Sequence, residues 1–204
     1  MKVTKLRAIA ALALGLVLAA CGGKASFDVS GVIQGLTNSG MVLTNGSDTI
    51  TIPAGATSFS FPTRISYGTD YNMQIKTQPA HMTCNLFNGS GSAGHTTTIL
   101  ATIQCAQNAH NLGGTVTGLV GTDPVGTGLV LANGSTGGTF TVTKPTDGSG
   151  RVSFTFPVQV LDGQPFGVTV NTQPAGLVCT VTNGTDVMHE TDVGNILVAC
   201  APPQ

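Results

Sequence analysis

The chain has no tryptophan, two tyrosines and eight phenylalanines among its 204 residues. So few aromatics argue against the stacking platforms on which sugars or unpaired bases are held. Charge is also scarce. Lys, Arg, Asp and Glu make up 8% of the residues, and Glu190 is the one glutamate. There is no basic patch, so nucleic-acid binding has no electrostatic basis. The aspartates fall mostly in turn-like contexts such as Asp147-Gly148 and Asp162-Gly163. No Gly-x-Ser-x-Gly elbow, Ser-x-x-Lys pair or Asp-x-Asp calcium pattern occurs. An enzyme needs convergent titrating groups, and the sequence assembles none. The expectation is a non-enzymatic protein without cofactor or metal.

Long apolar runs are missing too. The longest, Ala8 to Ala20, has 13 residues, whereas a membrane-spanning helix needs about 20. A basic start (Lys2, Lys5, Arg7) precedes it, and small residues close it. That is the pattern of a secretory signal. Its end, Leu18-Ala19-Ala20-Cys21, resembles a bacterial lipoprotein signal peptide. The alternative is an ordinary signal cut at Ala-x-Ala, with Cys21 incidental. The resemblance implies that residues 1–20 are removed, that the Cys21 thiol takes a diacylglycerol and that the new amine is acylated. One acyl chain holds a bilayer only marginally, while two or more anchor stably. The implied partner is thus a membrane, reached through the lipid on Cys21. Gly22 follows, with no acidic residue beside Cys21. By analogy with enteric bacteria this favours the outer membrane, at its periplasmic face or at the cell surface.

Without the leader, five basic residues remain against nine acidic ones, a net charge of −4 with histidines neutral. The remaining chain is rich in Thr, Val, Gly, Asn and Ser, which favours strands and tight turns. Four cysteines remain besides Cys21: Cys84, Cys105, Cys179 and Cys200, in two pairs each separated by 21. Beyond the inner membrane disulfides are expected. Pairing Cys84 with Cys105 and Cys179 with Cys200 closes two loops, each worth about 3 kcal/mol in the loop-entropy account. A four-thiolate zinc site is the alternative, but the close C-x-x-C spacing of such sites is lacking.

The chain repeats itself once. Phe59-Ser60-Phe61-Pro62 matches Phe154-Thr155-Phe156-Pro157 at an offset of 95. Thr77-Gln78-Pro79-Ala80 matches Thr172-Gln173-Pro174-Ala175 at the same offset, as do Cys84 with Cys179 and Cys105 with Cys200. Nearer the start, Gly31-x-x-x-Gly35-Leu36 matches Gly114-x-x-x-Gly118-Leu119 at offset 83, and Val42-Leu43-x-Asn45-Gly46 matches Val130-Leu131-x-Asn133-Gly134 at offset 88. The growing offset places insertions in the second copy, around 121–127 and 143–150, both rich in Gly, Pro and Asp and so loop-like.

Within each copy apolar residues alternate with polar ones: Ile50/Ile52, Phe59/Phe61 and Tyr71/Met73/Ile75 in the first, Phe140/Val142, Val152/Phe154/Phe156 and Phe166/Val168/Val170 in the second. This is the mark of half-buried strands. All four repeat cysteines fall on the apolar phase, so their thiols point inward. About seven short strands per copy predict an all-β chain of two tandem antiparallel sandwiches. Immunoglobulin-like and prealbumin-like topologies both fit, with a disulfide joining the last two strands. The division is 29–106 for repeat 1, 107–113 for a linker and 114–204 for repeat 2, after a lipidated linker 21–28. Together the repeated elements resemble a module of proteobacterial surface lipoproteins, which implies a place and a fold but no reaction.

Asn-Gly followed by Ser or Thr begins at Asn45, Asn88, Asn133 and Asn183. Such sites are glycosylation sequons in some contexts, but their recurrence at matching places fits hairpin turns. The histidines His81, His95, His110 and His189 show no ligand spacing. His189-Glu190 with Asp192 is the densest polar cluster, and its aligned stretch, Gly94-His95-Thr96-Thr97, has no carboxylate. It reads as a solvated loop. The functional expectation is a lipid-anchored envelope protein that acts as a spacer or as a recognition module for an envelope protein or glycan. An accessory subunit of a larger export or adhesion assembly is the alternative. The inserted loops near Thr122-Asp123-Pro124 and Lys144-Pro145-Thr146-Asp147 are the expected contact sites, because loops on such scaffolds carry binding.

Overall fold

Alternation fixes which side chains face inward, and every alternating set above keeps its phase in the structure. Phe59, Phe61, Met73, Val142, Phe154, Phe156, Phe166 and Val168 are all buried. The structure, a computed structural model, describes residues 25–96, 98–134 and 136–204. The leader and Cys21 lie outside the described residues. Those residues form strands and no helix.

The first set of strands is β1 (Ser26–Phe27), β2 (Val29–Gln34), β3 (Met41–Asn45), β4 (Asp48–Ile52), β5 (Ser58–Ser60), β6 (Ile65–Ser66), β7 (Asp70–Thr77), β8 (Met82–Phe87), β9 (Ser90–Ser92) and β10 (Ile99–Gln107). The second is β11 (Ala109–His110), β12 (Leu112–Thr117), β13 (Val130–Asn133), β14 (Thr139–Thr141), β15 (Val152–Thr155), β16 (Val160–Leu161), β17 (Pro165–Thr172), β18 (Val178–Thr182), β19 (Thr185–Val187) and β20 (Val193–Ala201). In the first set the sheets are β5-β2-β10-β8 and β4-β3-β7-β9, with β1-β6 as a short extra pair. In the second they are β15-β12-β20-β18, β14-β13-β17-β19 and β11-β16. The second set repeats the first with each strand ten places on. Each set encloses its own apolar core, one built around Met41, Leu43 and Ile103, the other around Leu119, Leu131 and Met188.

Two features differ from the sequence reading. In each sandwich the first and last long strands lie side by side and parallel, β2 on β10 and β12 on β20. A period of two is the same for parallel and antiparallel neighbours, so it cannot name the partner. This order also departs from the ABED and CFG sheets of antibody constant domains. Secondly, residues read as linkers carry strand. Ser26 and Phe27 pair with Ser66 and Ile65, Ala109 and His110 pair with Leu161 and Val160, and Leu112 is fully buried in the second core.

The repeated motifs converge on one place in each sandwich. Cys84 on β8 lies directly opposite Cys105 on β10 and is disulfide-bonded to it, with Cα atoms 4.0 Å apart. Cys179 and Cys200 do the same between β18 and β20, also at 4.0 Å. Cys84 and Cys179 are buried and their partners half-buried. The bridged strands are neighbours in the sheet but not the last two in sequence, since β9 and β19 intervene and join the opposite sheets.

Such closely apposed antiparallel residues form the pair that exchanges no backbone hydrogen bonds. The N–H and C=O of Cys84 therefore point away from β10, toward the open edge. There the side chain of Gln78 takes both: Cys84 N–H donates to Gln78 Oε1 at 2.8 Å, and Gln78 Nε2 donates to Cys84 O at 3.0 Å. Gln173 clasps Cys179 in the same way, at 2.8 and 3.1 Å. The repeated Thr-Gln-Pro thus supplies an amide that stands in for a missing strand.

The repeated Gly-Leu sits over the other half of the disulfide. Gly35 has φ 78° and Gly118 has φ 84°. A Cβ on either would run into the carbonyl oxygen of Cys105 or Cys200. Leu36 and Leu119, which follow, are buried in the two cores.

The sandwiches join head to tail. The chain enters the first where Tyr67 N–H donates to Ala25 O at 3.0 Å. It enters the second at the equivalent place, where Asp162 N–H donates to Asn108 O at 2.9 Å. Asn108 in turn donates its N–H to His81 O at 2.9 Å, at the opposite end of the first sandwich. Each sandwich therefore has an entry end (β1/β6 or β11/β16) and a far end, and the far end of the first holds the entry end of the second.

Ala at position 35 or 118 meets both a left-handed backbone penalty of about 1–2 kcal/mol and an overpacking cost of about 1–3 kcal/mol. Gly35→Ala and Gly118→Ala should each lower stability by about 2–4 kcal/mol in urea unfolding. A loss below about 0.5 kcal/mol, the range of neutral surface changes, would contradict the geometry.

Candidate functional site

What the two copies share has a structural task in both. The Asn-Gly motifs are an example. Asn45 Oδ1 accepts the N–H of Asn72 at 3.0 Å, and Asn133 Oδ1 accepts that of Gly167 at 2.9 Å, each bracing the hairpin against the next strand. Asn88 and Asn183 take left-handed backbone angles, φ 56° and 58°. The turn reading of these four residues accounts for their recurrence. Elements present in one copy only are the remaining candidates for function.

The two inserted segments are loops in the structure, and they meet. An open cleft of about 640 Å³ lies between them, lined by Val120, Thr122, Asp123, Thr127, Lys144 and Thr146 among others. Lys144 binds the loops together. Its Nζ donates to Gly121 O at 2.7 Å, Val125 O at 2.7 Å and Asp123 Oδ1 at 2.9 Å. The side chain is only 13% exposed. Three donors thus meet three oxygens of one loop, which satisfies the ammonium ion completely. Lys144 is a brace, not a free charge for a ligand. In the second loop the Ser149 hydroxyl, and then its backbone N–H, hold the Asp147 carboxyl below the usual carboxylate range.

The position of this cleft follows from the head-to-tail order. The far end of the first sandwich, with Asn38, Ser39 and Ala80, faces the second sandwich. Its equivalent in the second carries the inserted loops and is bound to them through Ala175, whose carbonyl accepts Gly126 N–H and whose N–H donates to Thr127 O, both at 2.9 Å. The cleft therefore occupies the end where the first sandwich docks its neighbour. It lies at the opposite extreme from Ala25.

The histidine cluster does not form a site. His189 and Glu190 are exposed in a loop, while Asp192 turns toward Asn111 and accepts its N–H at 2.8 Å and its Nδ2 at 2.9 Å. The Asn111 side chain, then its backbone N–H, lower the Asp192 pKa, helped by nearby His110. This bond set ties β20 to the start of β12. His95 lies exposed in a loop of the first sandwich. Among the described residues no three His, Cys, Asp or Glu side chains form a metal-binding group. Of the residues read from the sequence, the four repeat cysteines stand as two disulfides, and Cys21 lies outside the described residues. Sequence reading missed the clasping role of Gln78 and Gln173. Its signal was present: a glutamine six residues before the cysteine in both copies.

No protein-family model matches the chain, and no curated protein matches it.

Hydrogen bonds to a charged group contribute roughly 1.5–3 kcal/mol, so losing those of Lys144 makes local opening at least about tenfold easier. Lys144→Met should leave the second sandwich folded and speed proteolytic cleavage within 121–128. Unchanged cleavage there would show that the lysine does not hold the loops.

Proposed function

We propose that the protein is a lipid-anchored, non-enzymatic component of the bacterial cell envelope, a short spacer that presents a recognition tip. The observation that supports this reading most is the polarity of the fold. The described chain starts at the entry end of the first sandwich, and the inserted loops sit at the far end of the second. An anchor at Cys21 is only a few residues from the first of these ends. The loops are then held away from the membrane by two sandwiches in series.

The repeat explains the division of labour. The duplicated residues build and close the sandwiches, and the loops found in one copy only are freed for contact. The tip carries Thr122, Thr127 and Thr146, with the carboxylate of Asp147 as its charge beyond the paired Lys144 and Asp123. That suits a neutral hydrogen-bonding partner, a glycan or a protein loop, over a nucleic acid or an anionic surface. The few aromatics argue against a sugar site of the stacking kind.

The anchor and the tip are tested together in intact cells. Mass spectrometry of the membrane fraction should yield an acylated peptide beginning at Cys21, and a photo-crosslinker at Thr146 should capture envelope material that one at Tyr67 does not. A soluble chain with free Cys21 would overturn the anchor. Equal capture at both positions would overturn the tip. A single partner in fixed ratio along the sheet edges would favour an accessory subunit of a larger assembly, joined by strand pairing.

A further inference from the structure

His81 and Asp162 meet at the junction of the two sandwiches, and each departs from the repeat. At the place of His81 the second sandwich has Gly176, with φ 68°, whereas His81 itself holds φ 61°. A non-glycine residue in such a conformation is strained and persists where its surroundings hold it. At the place of Asp162 the first sandwich has Tyr67, which is 69% exposed. Asp162 is 1% exposed. The two changes bring opposite partners together: His81 Nδ1 lies 3.2 Å from Asp162 Oδ2.

Asp162 is otherwise alone. Among the described residues neither carboxylate oxygen accepts a hydrogen bond, and its backbone groups are already engaged, with N–H bonded to Asn108 O and C=O to Gln107 Nε2 at 2.9 Å each. A buried carboxylate with no donor is strongly unfavourable unless an opposite charge offsets it. Among the described residues the imidazole of His81 is the one group in place to supply that charge. Its side chain is 44% exposed, so it exchanges protons with solvent. The cleft around the pair is lined by Thr37, Asn38, Ser39, Gln107 and Gln164, none of them titratable. From β11 and the segment before β20, His110 and Asp192 face each other instead, 3.9 Å apart.

We propose that His81 and Asp162 form a proton-operated latch that fixes the angle between the sandwiches. With the imidazole protonated, the buried carboxylate has its counter-ion and the junction stays closed. When the ring gives up that charge, the carboxylate loses its counter-ion, and the junction opens to let water reach it. The backbone bonds through Asn108 keep the chain path, so opening changes the angle and leaves both sandwiches folded.

The test uses the full chain, spin-labelled through non-natural residues at Thr49 on the first sandwich and Thr139 on the second, with distances read by pulsed electron resonance. The expected result is one narrow distance at the acidic end of a pH series and a broad distribution at its alkaline end. His81→Gly, the residue found in the second copy, should be broad at both. Asp162→Asn, close to isosteric, should lose the pH dependence. An unchanged distribution in the native chain would overturn the latch. So would a pH response that survives in either variant.

Discussion

Each sandwich depends on one arrangement at the outer edge of a sheet, where a cysteine is held from two sides. Its thiol is bonded inward to the neighbouring strand, and its backbone N–H and C=O are bonded outward to a glutamine amide. Edge strands expose unpaired backbone groups that invite other chains. Here one residue of β8, and again one of β18, is closed by the protein's own side chain. The disulfide alone leaves those groups open, and the glutamine alone leaves the strand joined by fewer bonds. Gly35 and Gly118 press the first strand onto the carbonyl of the other cysteine, so three repeated motifs serve one locus.

That locus bears on the functional reading. One edge strand of each sandwich is closed at its cysteine, one hairpin of each is braced by asparagine, and each sandwich has its own core. What remains is polarity: an entry end near the start of the described chain, a junction, and a far end with two added loops around a cleft. The His81–Asp162 pair acts on the junction and would set the direction in which that cleft points. A spacer whose joint answers to protons differs from a passive one, because its reach depends on the medium around it.

Much of this was legible in the sequence. Alternation placed the core residues, the equal cysteine separations placed the disulfides, and the drift in repeat offset located both loops. Strand partners were not legible, since period-two alternation is blind to direction, and the parallel pairing of β2 with β10 reflects the whole topology. The meeting of the two loops was hidden too, because nothing in the sequence marks Lys144 as the residue that bonds to the loop around 121–127. The latch was least visible. At the repeat's offset of 95 His81 replaces a glycine and Asp162 a tyrosine, but nothing in the sequence shows that the two side chains meet.

The central claim is that Gln78 and Gln173 close the edges at Cys84 and Cys179. Native-state hydrogen exchange of those two backbone amides tests it most directly. An amide bonded within a stable edge exchanges only through larger openings, whereas an open one exchanges at nearly the free rate. Both amides should be as well protected as those of the central strands β10 and β20, and Gln78→Leu should remove protection at Cys84 while leaving Cys179 unchanged. Fast exchange at both cysteines in the native chain would contradict the account.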